Sequence, residues 1–320
     1  MFSTRREFLH HAAGAAAAVC LAPEVLALAA EDEPRKPGSA MRIGLVTYLW
    51  GKDWDLPTLI KNCEKSEVLG VELRTTHAHG VEPSLSKEKR REVKKRFDDS
   101  PVVHLGPGSN ERFDSPDPQA LRAAIEATKA FVELSHDTGG SGVKVKPDRF
   151  HEEVPREKTI EQIGRSLNEV GKFAAEHGQE IRLEVHGQCA ELPTMKAILD
   201  VADHPSVRVC WNSNAQDLQG KGLEHNFDLV KAHFGKTAHV RELDEGSYPY
   251  DKLFELLVGM DYDGWICLEC RGAPEDPVAA MIAQRRAFED LVANATPASR
   301  SRTGASPLRR AGRARGTDRA

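Results

Sequence analysis

Residues 142–186 read GVKVKPDRFHEEVPREKTIEQIGRSLNEVGKFAAEHGQEIRLEVH and contain two short apolar runs on either side of a longer amphipathic stretch. The short runs, Gly142–Lys146 and Glu180–His186, predict β-strands. Between them, Thr159–His177 has apolar residues three and four positions apart, which is the period of an amphipathic helix. These residues are Ile160, Ile163, Leu167, Val170 and Phe173. The stretch therefore predicts a strand, a helix and a second strand.

The same alternation extends over most of the chain. A second clear helix is predicted over Pro118–Leu134, and the remaining predicted strands are Arg42–Thr47, Gly70–Arg74, Pro101–Leu105, Val207–Trp211, Thr237–Leu243 and Gly264–Glu269. Most strand-to-strand intervals are roughly 25 to 40 residues, the length of one βα unit. Eight such units predict an α/β fold, a closed (β/α)₈ TIM barrel. An open doubly wound sheet is the alternative, but no Gly-x-Gly-x-x-Gly follows the first strand.

The N-terminal segment, residues 1–29, resembles a twin-arginine signal peptide. Arg5 and Arg6 precede a short apolar run from Ala12 to Ala22, and Ala27-Leu28-Ala29 offers small residues for cleavage. The resemblance implies export by the twin-arginine route, which carries folded proteins. We therefore expect the mature protein in the periplasm or cell envelope.

The rest of the chain divides into a linker over residues 30–40, a barrel over 41–295 and a tail over 296–320. The tail has seven arginines, one acidic residue and no periodic apolar residues, so it is expected to be disordered. Residues 30–295 carry 46 acidic and 35 basic residues. This acidic core argues against a nucleic-acid partner.

The composition excludes several other classes of protein. Hydrophobic residues make up 40% of the 320 residues and charged residues 29%. No run approaches the roughly 20 apolar residues that span a bilayer, so stable membrane insertion is not expected. The expected partner is a small molecule, and the sequence leaves open whether the chain forms an oligomer.

Residues of metal-ligand type lie at the ends of three predicted strands. Glu184, His239 and Glu269 end strands in the same half of the barrel. In a TIM barrel the chemistry lies where strands end and βα loops begin. Two carboxylates and one imidazole around one axis suit a divalent cation with open coordination positions. A structural cluster of ion pairs is the alternative.

Four stretches resemble the sugar phosphate isomerase/epimerase family, whose fold is a xylose isomerase-like TIM barrel. The resemblance covers residues 41–292, and the last stretch below is its most specific part. The four are Glu184-Val185-His186, Cys210-Trp211-Asn212-Ser213-Asn214, His239-Val240-Arg241-Glu242 and Tyr262-Asp263-Gly264-Trp265-Ile266-Cys267-Leu268-Glu269.

The resemblance implies a cofactor, a divalent metal ion such as Mn²⁺, Mg²⁺, Co²⁺ or Zn²⁺. By position its ligands would be Glu184, Asn212, His239 and Glu269. The family usually has Asp where this chain has Asn212. An amide oxygen can bind a hard cation but lacks the negative charge, so we expect weaker metal binding.

The resemblance also implies a sugar isomerase or epimerase that abstracts a proton next to a carbonyl and proceeds through an enediolate. Glu184 and Glu269 are the expected catalytic carboxylates. The expected substrate-binding residues are His186, Lys146, Arg241 and Glu242. Lys146 could equally form an ion pair that only balances one of the acids.

Three other functions compete with this interpretation. A keto-glycoside lyase would use the same proton abstraction but expel a leaving group. A catalytically decayed carbohydrate-binding barrel would explain Asn212. A metal-dependent nuclease of the endonuclease IV type shares the barrel, but the acidic core and the export signal count against it. Export also favours a neutral sugar or a glycoside fragment over a sugar phosphate.

Three local patterns give further expectations. Gly106-Pro107-Gly108-Ser109-Asn110 lacks the Lys-Ser/Thr of a phosphate-binding loop and is interpreted as a plain βα turn. His77 and His79 are expected at the surface or rim. Because residues three apart in a strand face opposite sides, Cys267 and Cys270 are not expected to share a metal or redox centre.

Overall fold

The computed structural model describes residues 36–296 of the chain. The predicted export signal, residues 1–29, and the predicted tail beyond Thr296 lie outside the described residues, so both stay predictions. Eight strands form one parallel sheet in the order β6-β5-β4-β3-β2-β1-β8-β7. They are β1 Arg42–Val46, β2 Gly70–Arg74, β3 Val103–Arg112, β4 Gly142–Lys146, β5 Glu180–Glu184, β6 Val207–Cys210, β7 Thr237–Val240 and β8 Trp265–Leu268.

The sheet curls until its two edge strands meet. Isolated bridges join Asn212 to His239 and Val209 to Phe234 across the remaining seam between β6 and β7. Within residues 36–296, eight α-helices follow the strands: α1 Leu56–Ser66, α2 Lys87–Asp98, α3 Pro118–Thr138, α4 Arg156–Glu176, α5 Leu192–Val201, α6 Leu223–Val230, α7 Tyr250–Gly259 and α8 Pro277–Ala295. The predicted TIM barrel is confirmed.

Helices α3 and α4 bury the apolar faces that their periodicity predicts, including Ile163, Leu167 and Val170 in α4. Helix α3 runs beyond its predicted end at Leu134, because Thr138 packs inward and the helix stops only at Gly139. That glycine takes the left-handed φ of 83° that ends many helices. The sequence did not predict this extension, because the last turn of the helix contains polar residues.

Strand β3 departs most from the prediction. The stretch Gly106–Asn110, predicted as a turn, continues the strand to Arg112. At Gly106 the φ of 128° accompanies a register shift against β2, and a Cβ there would lie 1.9 Å from the carbonyl oxygen of Gly142. The glycine thus permits a close approach between strands, and the turn prediction was wrong. The extension carries Asn110 to the mouth of the barrel.

The sequence analysis placed the carboxyl ends of several strands too far along the chain. The structure ends β5 at Glu184, β7 at Val240 and β8 at Leu268. Beyond these residues the chain leaves the sheet ladder and enters the βα loops. The predicted metal ligands consequently lie at or next to the last ladder positions, where the fold holds them firmly.

The lower part of the barrel is filled, which confines the candidate site to the upper end. Arg182 is 1% exposed and donates hydrogen bonds to the carbonyl oxygen of Leu105 and to the Ser141 hydroxyl, at 2.8 and 2.7 Å. A small apolar cluster contains Val46, Leu105, Trp265 and Cys267. Among residues 36–296, no helix is both long and apolar enough to cross a membrane.

Candidate active site

Three of the predicted ligands meet at the carboxyl ends of the strands. Glu184, His239 and Glu269 each offer one ligand atom, and these atoms all lie within 4.8 Å of one another. His239 Nδ1 is 3.7 Å from Glu184 Oε1 and 4.0 Å from Glu269 Oε2. All three side chains are buried. The sequence prediction that they converge on one axis is therefore confirmed as geometry.

The orientation of His239 suits a metal ligand. Its Nε2 lies 3.2 Å from Glu72 Oε2, so an Nε2–H group donates to that carboxylate. This leaves the lone pair of Nδ1 facing the acids Glu184 and Glu269. Within residues 36–296, buried Nδ1 has no hydrogen-bond partner. A carboxylate behind a histidine commonly fixes the ring in this way at metal sites.

The charges around His239 counteract the effect of burial on its pKa. Burial alone would lower its pKa, but the neighbouring Cys210 sulfur, the negative charge of Glu72 and the contact with Glu184 raise the pKa of His239 well above its usual value. In the absence of a cation, the imidazole therefore tends to hold a proton on Nδ1. A proton and a metal ion would compete for this atom.

Asn212 occupies the fourth expected ligand position, but its amide points the other way. Its Nδ2 donates hydrogen bonds to Glu184 Oε1 at 2.7 Å and to Glu269 Oε2 at 3.2 Å. The oxygen Oδ1 is buried and has no hydrogen-bond partner among the described residues. The structure thus shows Asn212 as a donor between two acids, whereas the sequence predicts an oxygen ligand. Rotation of the amide by 180° would exchange the two roles.

Lys144 is the direct ionic partner of Glu184. Its Nζ lies 2.9 Å from Glu184 Oε2, and the two side chains are 2% and 1% exposed. Burial alone would raise the pKa of Glu184, but the Lys144 ammonium and the neighbouring His239 hold it well below its usual value. Glu184 is therefore ionised at neutral pH.

Arg241 and Glu242 support the loop that follows β8. Arg241 Nη1 donates to Glu269 Oε2 at 2.6 Å and to the Glu269 carbonyl oxygen at 2.9 Å. Glu242 Oε1 accepts the backbone N–H groups of Arg271 and Gly272 at 2.8 and 2.6 Å. Glu242 is thus a loop anchor in this structure, and its predicted contact with a substrate stays a prediction.

The remaining predicted substrate residues lie at the mouth. His186 Nδ1 is 2.8 Å from Asp148 Oδ1. Arg112 Nη1 forms an ion pair with the other oxygen of the same carboxylate, Asp148 Oδ2. The hydrogen bond from His186 is the main reason why the pKa of Asp148 is lowered. Lys146 is 6% exposed and contacts Asn110 Oδ1 at 3.4 Å. The pKa of Lys146 is lowered by burial and by the positive charge of Lys144.

The two histidines after β2 differ in position. His77 is half-buried, with Nδ1 3.4 Å from Thr47 Oγ1. His79 is buried, which corrects the expectation that it lies at the surface. Its Nε2 lies 2.8 Å from the Arg74 carbonyl oxygen and its Nδ1 accepts the Val81 N–H at 3.0 Å. Both ring nitrogens are therefore used to hold the loop.

The cysteines form no centre of their own. All five cysteines of residues 36–296 are buried and unbonded to one another. Cys267 packs in the small cluster with Trp265, whereas Cys270 packs in the main core. The two thiols lie on different sides, as predicted from strand geometry.

The sequence analysis assigned no role in the site to Glu72, Lys144 or Arg74, although all three lie toward the carboxyl ends of their strands. The signal was present in the period of two residues along a strand. Glu72 precedes Arg74, and Lys144 precedes Lys146, on the same inward face of β2 and β4. A search of every barrel strand for polar residues two apart would have found them.

A comparison of sequences agrees with this fold. The profile of the xylose isomerase-like TIM barrel family matches residues 60–290. The chain belongs to this family.

Solved structures with the same fold include several sugar epimerases. An L-ribulose 3-epimerase is 14% identical, with a TM-score of 0.71, over 82% of this chain and 98% of that chain. The 3-keto-D-glucoside 4-epimerase YcjR from E. coli is 15% identical, with a TM-score of 0.65, over 78% and 98%. The IOLI protein with a bound zinc atom is 16% identical, with a TM-score of 0.67, over 80% and 100%. At these identities the likeness is one of fold.

Proposed function

We propose that this protein is a metal-assisted sugar isomerase or epimerase. The observation that carries the proposal is the convergence of Glu184, His239 and Glu269, with an unpartnered imidazole nitrogen between two carboxylates. The epimerase activities named for the L-ribulose and 3-keto-D-glucoside enzymes support the choice of reaction class. The zinc-bound IOLI structure supports the choice of a cation.

The residues present fit a divalent cation. Glu184, His239 and Glu269 would hold it, and Asn212 would add its amide oxygen after rotation of the side chain. Rotation would break the two hydrogen bonds from Nδ2 to the acids, whose oxygens would bind the cation instead, whereas the buried Oδ1 has no hydrogen bond to lose among the described residues. When bound, the cation would polarise a substrate carbonyl and acidify the adjacent C–H bond. The ion could be Mn²⁺, Mg²⁺, Co²⁺ or Zn²⁺.

The two glutamates supply the proton transfer. Glu184 is ionised at neutral pH because Lys144 stabilises its charge, so it can accept a proton from carbon. Glu269 would enter the step as a carboxylic acid and give its proton to the opposite face of the enediolate, which leaves Glu269 ionised and Glu184 protonated. Arg241 holds Glu269 through both its carboxylate and its carbonyl oxygen, which fixes the direction of that carboxylate.

Deuterium exchange would test the proposal directly. The full chain, loaded with Mn²⁺, would be incubated in D₂O with a panel of ketoses, and incorporation of deuterium at carbon would be followed by NMR. We expect exchange with at least one ketose, and a loss of about 10²-fold or more in Glu184→Gln, because the proton acceptor is removed.

Glu161→Gln is the matched control for this experiment. It makes the same chemical change on the exposed surface of α4, where Glu161 pairs with Lys158 and Arg165. This variant should exchange deuterium at the rate of the unaltered protein. Equal exchange in Glu184→Gln, or none in any metal-loaded protein, would contradict the proposal.

Binding of a carbohydrate without turnover is the second candidate function. The hydrogen bonds from Asn212 to both acids favour it, because the amide group stands between them as a cation would. Asn212→Asp separates the two candidates. If the site has decayed, Asp should restore metal binding and exchange that the natural chain lacks. If the site is active, the natural chain already shows both.

A further inference from the structure

At the mouth of the barrel, a second level of polar residues lies above the level formed by Glu72, Lys144, Glu184 and His239. Each strand residue that faces the interior is followed two positions later by another on the same face. The upper positions carry a basic side chain in four strands or in the loops directly after them. These residues are Arg74, Lys146, His186 and Arg241.

Three of these four basic residues have an acidic partner. Arg241 pairs with Glu269, and Arg74 Nη1 lies 3.9 Å from Glu269 Oε1. His186 pairs with Asp148. Lys146 differs, because within residues 36–296 its ammonium forms no ion pair, although its side chain is almost fully buried. A buried ammonium without a counter-ion is costly, and a negatively charged ligand would stabilise it.

Lys146 and Arg74 converge on one neutral atom. Asn110 Oδ1 lies 3.4 Å from Lys146 Nζ and 3.3 Å from Arg74 Nη2. The guanidinium of Arg74 is held over the ring of Tyr48, 4.8 Å from its centroid. Two cationic groups thus share a single amide oxygen, although each binds a charged oxygen more strongly.

We propose that Lys146 and Arg74 form a subsite for the carboxylate of an acidic sugar, so that the substrate is a keto-sugar acid and not a neutral sugar. This inference deepens the proposed function and rests on it for the reaction. A carboxylate suits the subsite better than a phosphate, because the glycine-rich stretch beside Asn110 belongs to strand β3 and forms no phosphate-binding loop. The expectation of a neutral sugar from the export signal would then not hold.

Calorimetric titration of the full chain with three sugars tests the subsite. The probes are D-fructuronate, D-fructose and D-fructose 6-phosphate, each added to the Mn²⁺-loaded and to the EDTA-treated protein. We expect D-fructuronate to bind at least about tenfold more tightly than either of the others, and the preference to shrink as salt is raised.

Two variants and one control test whether the preference for D-fructuronate depends on the subsite. Lys146→Met removes the unpaired cation, and Asn110→Asp places a carboxylate between the two cations. Both should abolish the preference for D-fructuronate, because the affinity for D-fructuronate should fall several-fold more than the affinity for D-fructose. Lys158→Gln, on the exposed face of α4, should retain the preference.

The outcomes separate this inference from the proposed function. Equal affinities for the three sugars, tighter binding of the phosphate, or equal losses for fructose and fructuronate in Lys146→Met would overturn the carboxylate subsite. Deuterium exchange could still occur in that case, and the proposed function would stand. A preference for D-fructuronate without any exchange would support the subsite and count against the proposed function alone.

Discussion

The Nε2 atom of His239 lies 3.2 Å from Oε2 of Glu72, and this contact determines which ring nitrogen faces the two acids of the site. Glu72 is on β2 and His239 on β7, so the contact crosses the interior of the barrel. A Cβ at position 108 would lie 2.6 Å from Glu72 Oε1, so Gly108 provides the space for this carboxylate. Three strands therefore cooperate to orient one imidazole.

Removal of the Glu72 carboxylate should weaken metal binding. In Glu72→Leu the ring of His239 loses the acceptor for its Nε2–H and no longer holds Nδ1 toward the acids. We expect the Kd for Mn²⁺ to rise about 10- to 100-fold, the usual cost of losing such a supporting partner. Glu72→Gln keeps an acceptor oxygen and should have a smaller effect. An unchanged Kd in Glu72→Leu would show that the contact does not orient the ring.

Loss of Lys144 should destabilise the whole barrel. Lys144→Met leaves the Glu184 carboxylate buried without its ionic partner, which typically costs about 3–5 kcal/mol. Urea unfolding monitored by circular dichroism measures this free energy. Lys144→Met combined with Glu184→Gln should recover much of the loss, because the unpaired charge is gone. Lys196→Met, which removes the exposed pair with Asp200, should change stability little.

Metal binding should weaken as the pH falls. Because the pKa of His239 is raised in the cation-free site, the imidazole is protonated on Nδ1 at pH values below that raised pKa. A cation must then displace this proton, so the apparent affinity should fall about tenfold for each further pH unit. Measurement of the Mn²⁺ Kd across neutral and mildly acidic pH checks this. A Kd independent of pH would contradict His239 as a ligand through Nδ1.

Asp217 should make the fold less stable at high pH. Burial raises the pKa of its carboxyl group to about 7, although the Asn214 N–H and the Tyr248 hydroxyl both donate to it. Between the ordinary Asp value and about 7, the folded protein binds more protons than the unfolded chain, so stability falls as pH rises through this window.

Asp217→Asn removes this titration. The amide oxygen can accept both hydrogen bonds without a charge, so the variant should gain stability at pH 8, on the order of 1–3 kcal/mol, and much less at pH 5. Thermal unfolding at both pH values measures the difference. An equal change at the two pH values would contradict titration of Asp217.

The fold and the triad could be predicted from the sequence because both depend on regular patterns. Strand and helix periods define the eight βα units, and Glu184, His239 and Glu269 follow directly from where the strands end. The continuation of strand β3 beyond Leu105 could not be predicted, because Gly106 and Gly108 normally favour a turn. Only the close approach of Gly142, which the sequence does not reveal, explains why they belong to a strand.

The contacts between distant residues were also beyond the sequence. The pairs Glu72–His239 and Lys144–Glu184 depend on the curvature of the closed sheet, which no local pattern encodes. The direction of the Asn212 amide depends in turn on two acids from β5 and the end of β8. The sequence therefore predicts that Glu184, His239 and Glu269 meet, but neither their partners across the barrel nor which atom each one presents.

Metal content directly tests the assignment of Glu184, His239 and Glu269 as metal ligands. The full chain, purified and reconstituted with excess Mn²⁺ or Zn²⁺, would be dialysed and analysed for bound metal beside Glu269→Gln and the surface control Glu161→Gln. We expect about one metal ion per chain in the natural protein and the control, and a large loss in Glu269→Gln. Absence of metal from the natural protein, or equal metal in Glu269→Gln, would contradict this assignment.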